Sequence, residues 1–144
     1  MEVDTALLCD AATVRDGLLH ILGGGITAVA RPQYPAELGL TLALRVMVHQ
    51  TEVEHPHQLQ IILQGEDGEK ITEVRAEVQA QTPPENVEPG IQGEILIPWD
   101  FPGRPKLPAP GRYSMELLID GVHQRSIPFR AVQMQVPGGG ESTP

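Results

Sequence analysis

From Leu38 to Val48 the chain sets Leu38, Leu40, Leu42, Leu44, Val46 and Val48 at every second position. Gly39, Thr41, Ala43, Arg45, Met47 and His49 fill the gaps between them. Leucine taken alone favours helix. A helix over this stretch would spread its leucines round the whole circumference, whereas an extended chain gathers them on one face. The spacing therefore predicts a strand, and a strand with one greasy face needs a layer to cover it.

The same period recurs along the chain. Val3–Cys9 reads as a first strand running on toward Val14, with a short helix over Ala11–Arg15 as the competing reading. Arg15-Asp16-Gly17 reads as a turn, Leu18–Leu22 as the return strand, and Gly23-Gly24-Gly25 as a break before Ile26–Ala30. Leu59, Ile61 and Leu63 alternate with Gln58, Gln60, Ile62 and Gln64, and Gly65-Glu66-Asp67-Gly68 closes a hairpin. Its partner sets Thr72, Val74, Ala76, Val78 and Ala80 against Glu73, Arg75, Glu77 and Gln79, the pattern of a half-exposed antiparallel strand. A surface connection spans Thr82–Gly93. Ile95, Ile97, Trp99 and Phe101 then form a short strand that Pro98 confines to a sheet edge or a bulge.

The closing segment is the most explicit hairpin. Tyr113, Met115, Leu117 and Ile119 share one parity, and Arg112, Ser114, Glu116 and Asp120 share the other. Asp120-Gly121 marks the turn, because glycine enters positive φ without a Cβ clash. A two-residue loop would set Met115 against Ser126. A three-residue loop over Ile119–Gly121 would set Tyr113 against Ile127 and keep Ile127 and Phe129 on the core side, and that register is the expected one. Tyr113 follows the Pro110-Gly111 corner closely, so its hydroxyl either bonds back to that corner or sits in water at the core edge.

These elements predict an all-β chain: one single-domain antiparallel β-sandwich of about eight strands, of immunoglobulin-like or Greek-key type, over residues 1–134. Residues 135–144 read as a disordered tail. The chain of 144 residues is long enough to bury roughly two-thirds of its unfolded surface. Aromatic residues are only 3%, so the core must be aliphatic, and 15 glycines with 14 prolines favour turns over long helices.

Several segments together resemble a family of small bacterial proteins known only as a domain of unknown function. The likeness rests on Leu8-Cys9-Asp10, Arg15-Asp16-Gly17, Leu19-His20-Ile21-Leu22-Gly23-Gly24, Tyr34-Pro35, Asp67-Gly68, Pro110-Gly111-Arg112-Tyr113 and Asp120-Gly121. The resemblance implies a cytoplasmic sandwich with no assigned activity, and it transfers no catalytic, metal or cofactor residue.

Charge and composition narrow the chemistry. A net charge of −9 repels phosphate backbones and anionic membranes, so neither nucleic acid nor a membrane is an expected partner. The acidic Met1-Glu2-Val3-Asp4 start lacks secretory character, and no apolar run reaches membrane-spanning length, which points to the cytoplasm. Cys9 is the only cysteine and reads as a buried thiol rather than a nucleophile. Gly23-Gly24-Gly25 is followed by strand-like residues without the lysine of a phosphate loop, so a strand break is the better reading.

His49, His55 and His57, with Glu52 and Glu54, supply metal-ligand chemistry if they converge; otherwise they are a solvated connection. Glu66, Asp67, Glu69 and Asp120 pose the same question for calcium, although turn formation alone accounts for each Asp-Gly pair. Ser114, Ser126 and Ser142 lie in no nucleophile elbow. Met47, Ile62, Leu96 and Leu118 are apolar on faces expected to be polar, and would form a contact surface if they adjoined. The expected function is a non-enzymatic protein-interaction module, with another protein or a second copy as partner. The alternative is a metal-binding protein or metal-dependent hydrolase using the His49/His55/His57 loop. A third reading, a ligand cleft between the sheets, rests on the small Ala76 and Ala80.

Overall fold

The computed structural model describes residues 1–52, 55–80 and 93–135. Most of the Thr82–Gly93 connection, Glu54 and the tail from residue 136 lie outside the described residues. Twelve strands are formed: β1 (Glu2–Cys9), β2 (Ala11–Arg15), β3 (Leu18–Leu22), β4 (Ala28–Arg31), β5 (Ala36–Glu37), β6 (Thr41–Val48), β7 (His57–Gly65), β8 (Lys70–Val78), β9 (Gly93–Asp100), β10 (Lys106–Leu107), β11 (Gly111–Ile119) and β12 (Val122–Gln133). One 3₁₀ turn, Gln50–Glu52, is the only helical element among the described residues.

The chain is all-β, in antiparallel and mixed sheets. A three-stranded sheet has the order β1-β6-β9 and a five-stranded sheet the order β4-β12-β11-β7-β8. Two-stranded pairs, β2-β3 and β5-β10, complete it. The leucine ladder is extended, as its spacing predicts. Its regular strand starts at Thr41, because Gly39 turns the backbone to φ +63° after Leu38. Leu42, Leu44 and Val46 from β6, Leu59, Ile61 and Leu63 from β7, and Met115, Leu117 and Ile119 from β11 all join one buried cluster. Two sheets thus supply a single aliphatic core.

Two expectations on topology need correction. The strands exceed the expected eight because Asp10 separates β1 from β2, and because β5 and β10 are two-residue pairings made by proline-containing connections. The fold is also not wholly antiparallel: the Gly23–Gly25 break delivers β4 alongside β12 in the same direction.

The hairpin register differs as well. The turn has two residues, Asp120 at φ +50° and Gly121 at φ +80°, the signs that a type I′ turn requires. Ile119 therefore faces Val122. A β-bulge then skips Gln124, so Leu117 faces Arg125, Met115 faces Ile127 and Tyr113 faces Phe129. The bulge achieves what the three-residue loop was expected to achieve, keeping Phe129 and Ala131 buried. The Tyr113 hydroxyl bonds back to Ala109, donating to its carbonyl, while the ring stacks on Phe129 at 5.7 Å.

Pro98 sits in β9, at an edge of the three-stranded sheet. On β6, Thr41 and Ala43 are buried although their parity points away from the core. The β2-β3 hairpin approaches β6 and β9 on that side, covering what would otherwise be an open face.

Candidate functional site

Among the described residues no ladder joins the β2-β3 hairpin to the main sheets. Its own pairing is regular, from Ala11 facing Leu22 to Arg15 facing Leu18, and Asp16 and Gly17 form its turn with φ of +53° and +71°. Leu18-Leu19-His20-Ile21-Leu22 has apolar residues at both parities. A two-stranded ribbon can turn only one face to the body, so the other parity must meet water. Leu19 and Ile21 approach Leu96 across a cleft of about 340 Å³ bordered by Thr5, Arg45 and Glu94. On the other side a cleft of about 380 Å³ runs between Val14 and Gly17 of the hairpin and Ala80, Ile95 and Leu96. The outcome is a concentration of exposed aliphatic surface: Val14 is 42% exposed, Leu18 62%, Ile21 37% and Leu22 67%.

The hinge of this hairpin is Gly23–Gly25. Asp10 N donates to Leu22 O at 3.0 Å, and Gly25 N and Ile26 N donate to Leu8 O at 2.9 and 3.0 Å. Those amides are used within the fold, and a strand follows them rather than a helix, so no phosphate cradle is formed. A Cβ at Gly24 would lie 2.9 Å from Ile21 Cγ2 and 3.0 Å from Leu7 Cδ1. A side chain there would force Ile21 or Leu7 to give way where the hairpin base packs against β1. Beneath the hairpin Arg45 bonds Glu94 at 3.0 Å and Asp4 at 3.3 Å, so the cleft floor is polar and net acidic.

The histidines do not converge. Among the described residues no group of three or more His, Cys, Asp or Glu side chains is placed to hold a metal ion. His57 is already occupied: Nδ1 lies 2.5 Å from Asp120 Oδ2 and Nε2 lies 3.3 Å from Glu52 O. Both ring nitrogens face acceptors, so the imidazolium alone satisfies both. The hydrogen bond to Asp120 accordingly raises the His57 pKa against a smaller opposing effect of burial. The same hydrogen bond, joined by one from Gln58 N, holds the Asp120 carboxyl below its usual value. Glu52 faces the N-terminal amine at 2.5 Å and the His49 amide at 3.1 Å.

The proposed calcium group is divided. Gly65 faces Tyr113 at the start of β11, whereas Leu59 faces Ile119 at its end. Glu66, Asp67 and Glu69 therefore sit at one end of the sheet and Asp120 at the other.

One cluster was not foreseen from the sequence. Glu116 on β11 faces Ser126 on β12, and the bulge brings His123 beside them. Ser126 Oγ donates to Glu116 Oε1, His123 Nε2 lies 2.9 Å from the same oxygen, and the hydroxyl and ring nitrogen are 3.3 Å apart. Burial works to raise the Glu116 carboxyl, but hydrogen bonds from Ser126, His123 and Ser114 outweigh it and hold the carboxyl low. A serine nucleophile needs one imidazole nitrogen free to take its proton while the other is held by the acid. Here the same nitrogen faces both groups and the hydroxyl points at the carboxylate. The arrangement is a hydrogen-bonded surface knot, not a relay. Its signal in sequence was the cross-strand register, which the bulge concealed.

Cys9 is fully buried, with Sγ 3.4 Å from Thr41 O. Burial first, then Asp100 and Asp10, push its thiol above the ordinary range, so a reactive thiolate is disfavoured. Met47 and Leu96 lie on the outer side of the three-stranded sheet, and Ile62 and Leu118 on that of the five-stranded sheet, so the four form no single patch. Ala80 is buried beside Val48 and borders the larger hairpin cleft, while Ala76 faces Leu59 within its sheet.

The profile of a family of unknown function, DUF6941, matches residues 4–132. The chain belongs to this family. The matched span of this DUF6941 protein runs from β1 through β12, hairpin included. No curated protein matches it. Six chains of solved structures do. One is the Pseudomonas fluorescens alkylpurine DNA glycosylase AlkC bound to DNA containing an abasic site analog, at 11% identity and a TM-score of 0.35. That alignment covers 74% of the DUF6941 chain and 28% of the glycosylase. At that score the likeness carries no weight for fold or function. No helix among the described residues is long and apolar enough to cross a membrane.

Proposed function

We propose that this DUF6941 protein is a non-enzymatic protein-binding module of the cytoplasm, built on an immunoglobulin-like β-sandwich. A core fed by both sheets and a Tyr113 hydroxyl tied back to Ala109 support the sandwich reading. The observation that carries the function is the exposure of Val14, Leu18, Ile21 and Leu22 on one hairpin. Single exposed leucines are ordinary. Leu18 and Leu22 stand on one face of the ribbon and Val14 with Ile21 on the other, and the outward pair, adding little to the core, has the composition of a contact surface. Leu18, His20 and Leu22 share one parity of β3 and are all exposed, so the fitting partner is a protein with an apolar patch that can also meet a histidine. The net charge of −9 favours a neutral or basic rim around that patch.

The test is affinity recovery from cells that naturally contain the protein, with the wild type beside a Leu18→Asp/Leu22→Asp variant and a Glu69→Gln control. The expected result is a protein recovered in stoichiometric amount with wild type and control and lost with the double variant. Recovery of the same proteins with all three chains would contradict the assignment, and so would recovery of none.

A further inference from the structure

The two main sheets have four outer edges, and three of them carry features that oppose further pairing. On β1, Arg125 Nη2 donates to Asp4 O at 3.0 Å, and Gly25 N and Ile26 N occupy Leu8 O. β9 carries Pro98, and β4 has only four residues. The fourth edge, β8, runs nine residues from Lys70 to Val78 without glycine or proline, and among the described residues no strand pairs with its outer side. Edge strands commonly carry like charges that repel a second strand. On β8 the signs alternate instead. Glu73 is bonded by Lys70 Nζ at 2.9 Å and by Arg75 Nε at 2.7 Å.

We propose that a second copy of this chain pairs antiparallel with β8, edge to edge, with Val74 on the two-fold axis. In that register Glu73 faces Arg75 of the second copy, and by symmetry Arg75 faces its Glu73. Thr72 faces Ala76, and the two five-stranded sheets become continuous. A two-fold through Arg75 would set arginine on arginine and Glu73 on Glu77, and one through Glu73 would set glutamate on glutamate. Charges directly opposite one another on neighbouring strands stabilise or disrupt according to sign, so one register is selected. The overall negative charge opposes association, but at physiological salt such repulsion is screened beyond about 8 Å, while the cross-strand pairs are in contact. An isologous contact of this kind closes as a dimer.

Light scattering on the full chain after size exclusion, at high micromolar concentration in physiological salt, reads the outcome. Wild type is expected at twice the chain mass of 15.6 kDa. Arg75→Glu sets glutamate against glutamate, and Glu73→Arg sets arginine against arginine, so each alone is expected at the single-chain mass. An equimolar mixture restores complementary pairs and returns the doubled mass. A monomeric wild type, single variants that remain dimeric, or a mixture that remains monomeric would each overturn the proposal. Circular dichroism confirms that the variants are folded. The inference is independent of the hairpin contact: Leu18→Asp/Leu22→Asp is expected to stay dimeric, which separates failure of one reading from failure of the other.

Discussion

His57 and Asp120 hold the tip of the β11-β12 hairpin to the start of β7, and the pair gives the fold a pH-dependent component. The His57 pKa is raised from 6.5, so its contribution is fully present below that value and is lost as pH rises through the folded pKa. The Asp120 pKa is lowered from 3.8, so its contribution is present above that value and is lost as pH falls through the folded one. Both operate together between 3.8 and 6.5. Asp120 is half exposed, so solvent limits the pair to on the order of 1 kcal/mol. His57→Gln should therefore lower thermal stability most at mildly acidic pH, and the difference from wild type should shrink on the alkaline side. A difference that does not change with pH would show that the imidazolium is not the bonded form. The chemistry of single residues was only partly legible in the sequence. Cys9 could be read as a buried thiol because the residues round it are apolar. The partnership of His57 could not be read, since Asp120 is sixty-three positions away. The knot of Glu116, His123 and Ser126 stayed hidden because it depends on a one-residue slip in register.

At the scale of elements, period two identified the strands of the core and glycine identified where they turn. β6, β7, β11 and β12 lie where alternation puts them, because a strand that buries one face leaves no freedom in which residues it buries. The β11-β12 turn shows the limit of such reading. Both a two-residue turn with a bulge and a three-residue loop return Phe129 to the core, and side-chain parity alone does not distinguish them. Gly121 is left-handed in either loop, and the two-residue turn adds Asp120 at positive φ. Gly121→Ala meets no neighbouring atom but forces a Cβ into left-handed backbone, at a cost of about 1–2 kcal/mol. Urea denaturation measures it, and an unchanged midpoint would contradict the turn geometry. The β2-β3 hairpin was legible as two strands and a turn. That it stands apart as its own two-stranded unit was not, because a sequence records alternation and not which sheet receives the strand.

Across the whole molecule the apolar residues divide into two populations with different consequences. Leu44 and Leu117 come from different sheets and are fully buried in one cluster, so Leu44→Ala and Leu117→Ala should each cost about 2–5 kcal/mol in denaturant titration. Leu22, 67% exposed, should lose no more than about 0.5 kcal/mol on the same substitution. A large loss at Leu22 would place the hairpin in the core and remove its reason to bind anything. Composition made the aliphatic core legible, since few aromatics are present to build any other. It could not separate the leucines that hold the fold together from those available to a partner, because both are leucine. The most direct measurement is photocrosslinking in cells that naturally contain the protein, with a photoreactive residue at position 18 or 22 and a control at exposed Asp67, outside β8. A discrete adduct with another protein from positions 18 and 22, absent from position 67, is the predicted result; no adduct at the hairpin, or equal adducts at all three positions, would contradict a binding role for this surface.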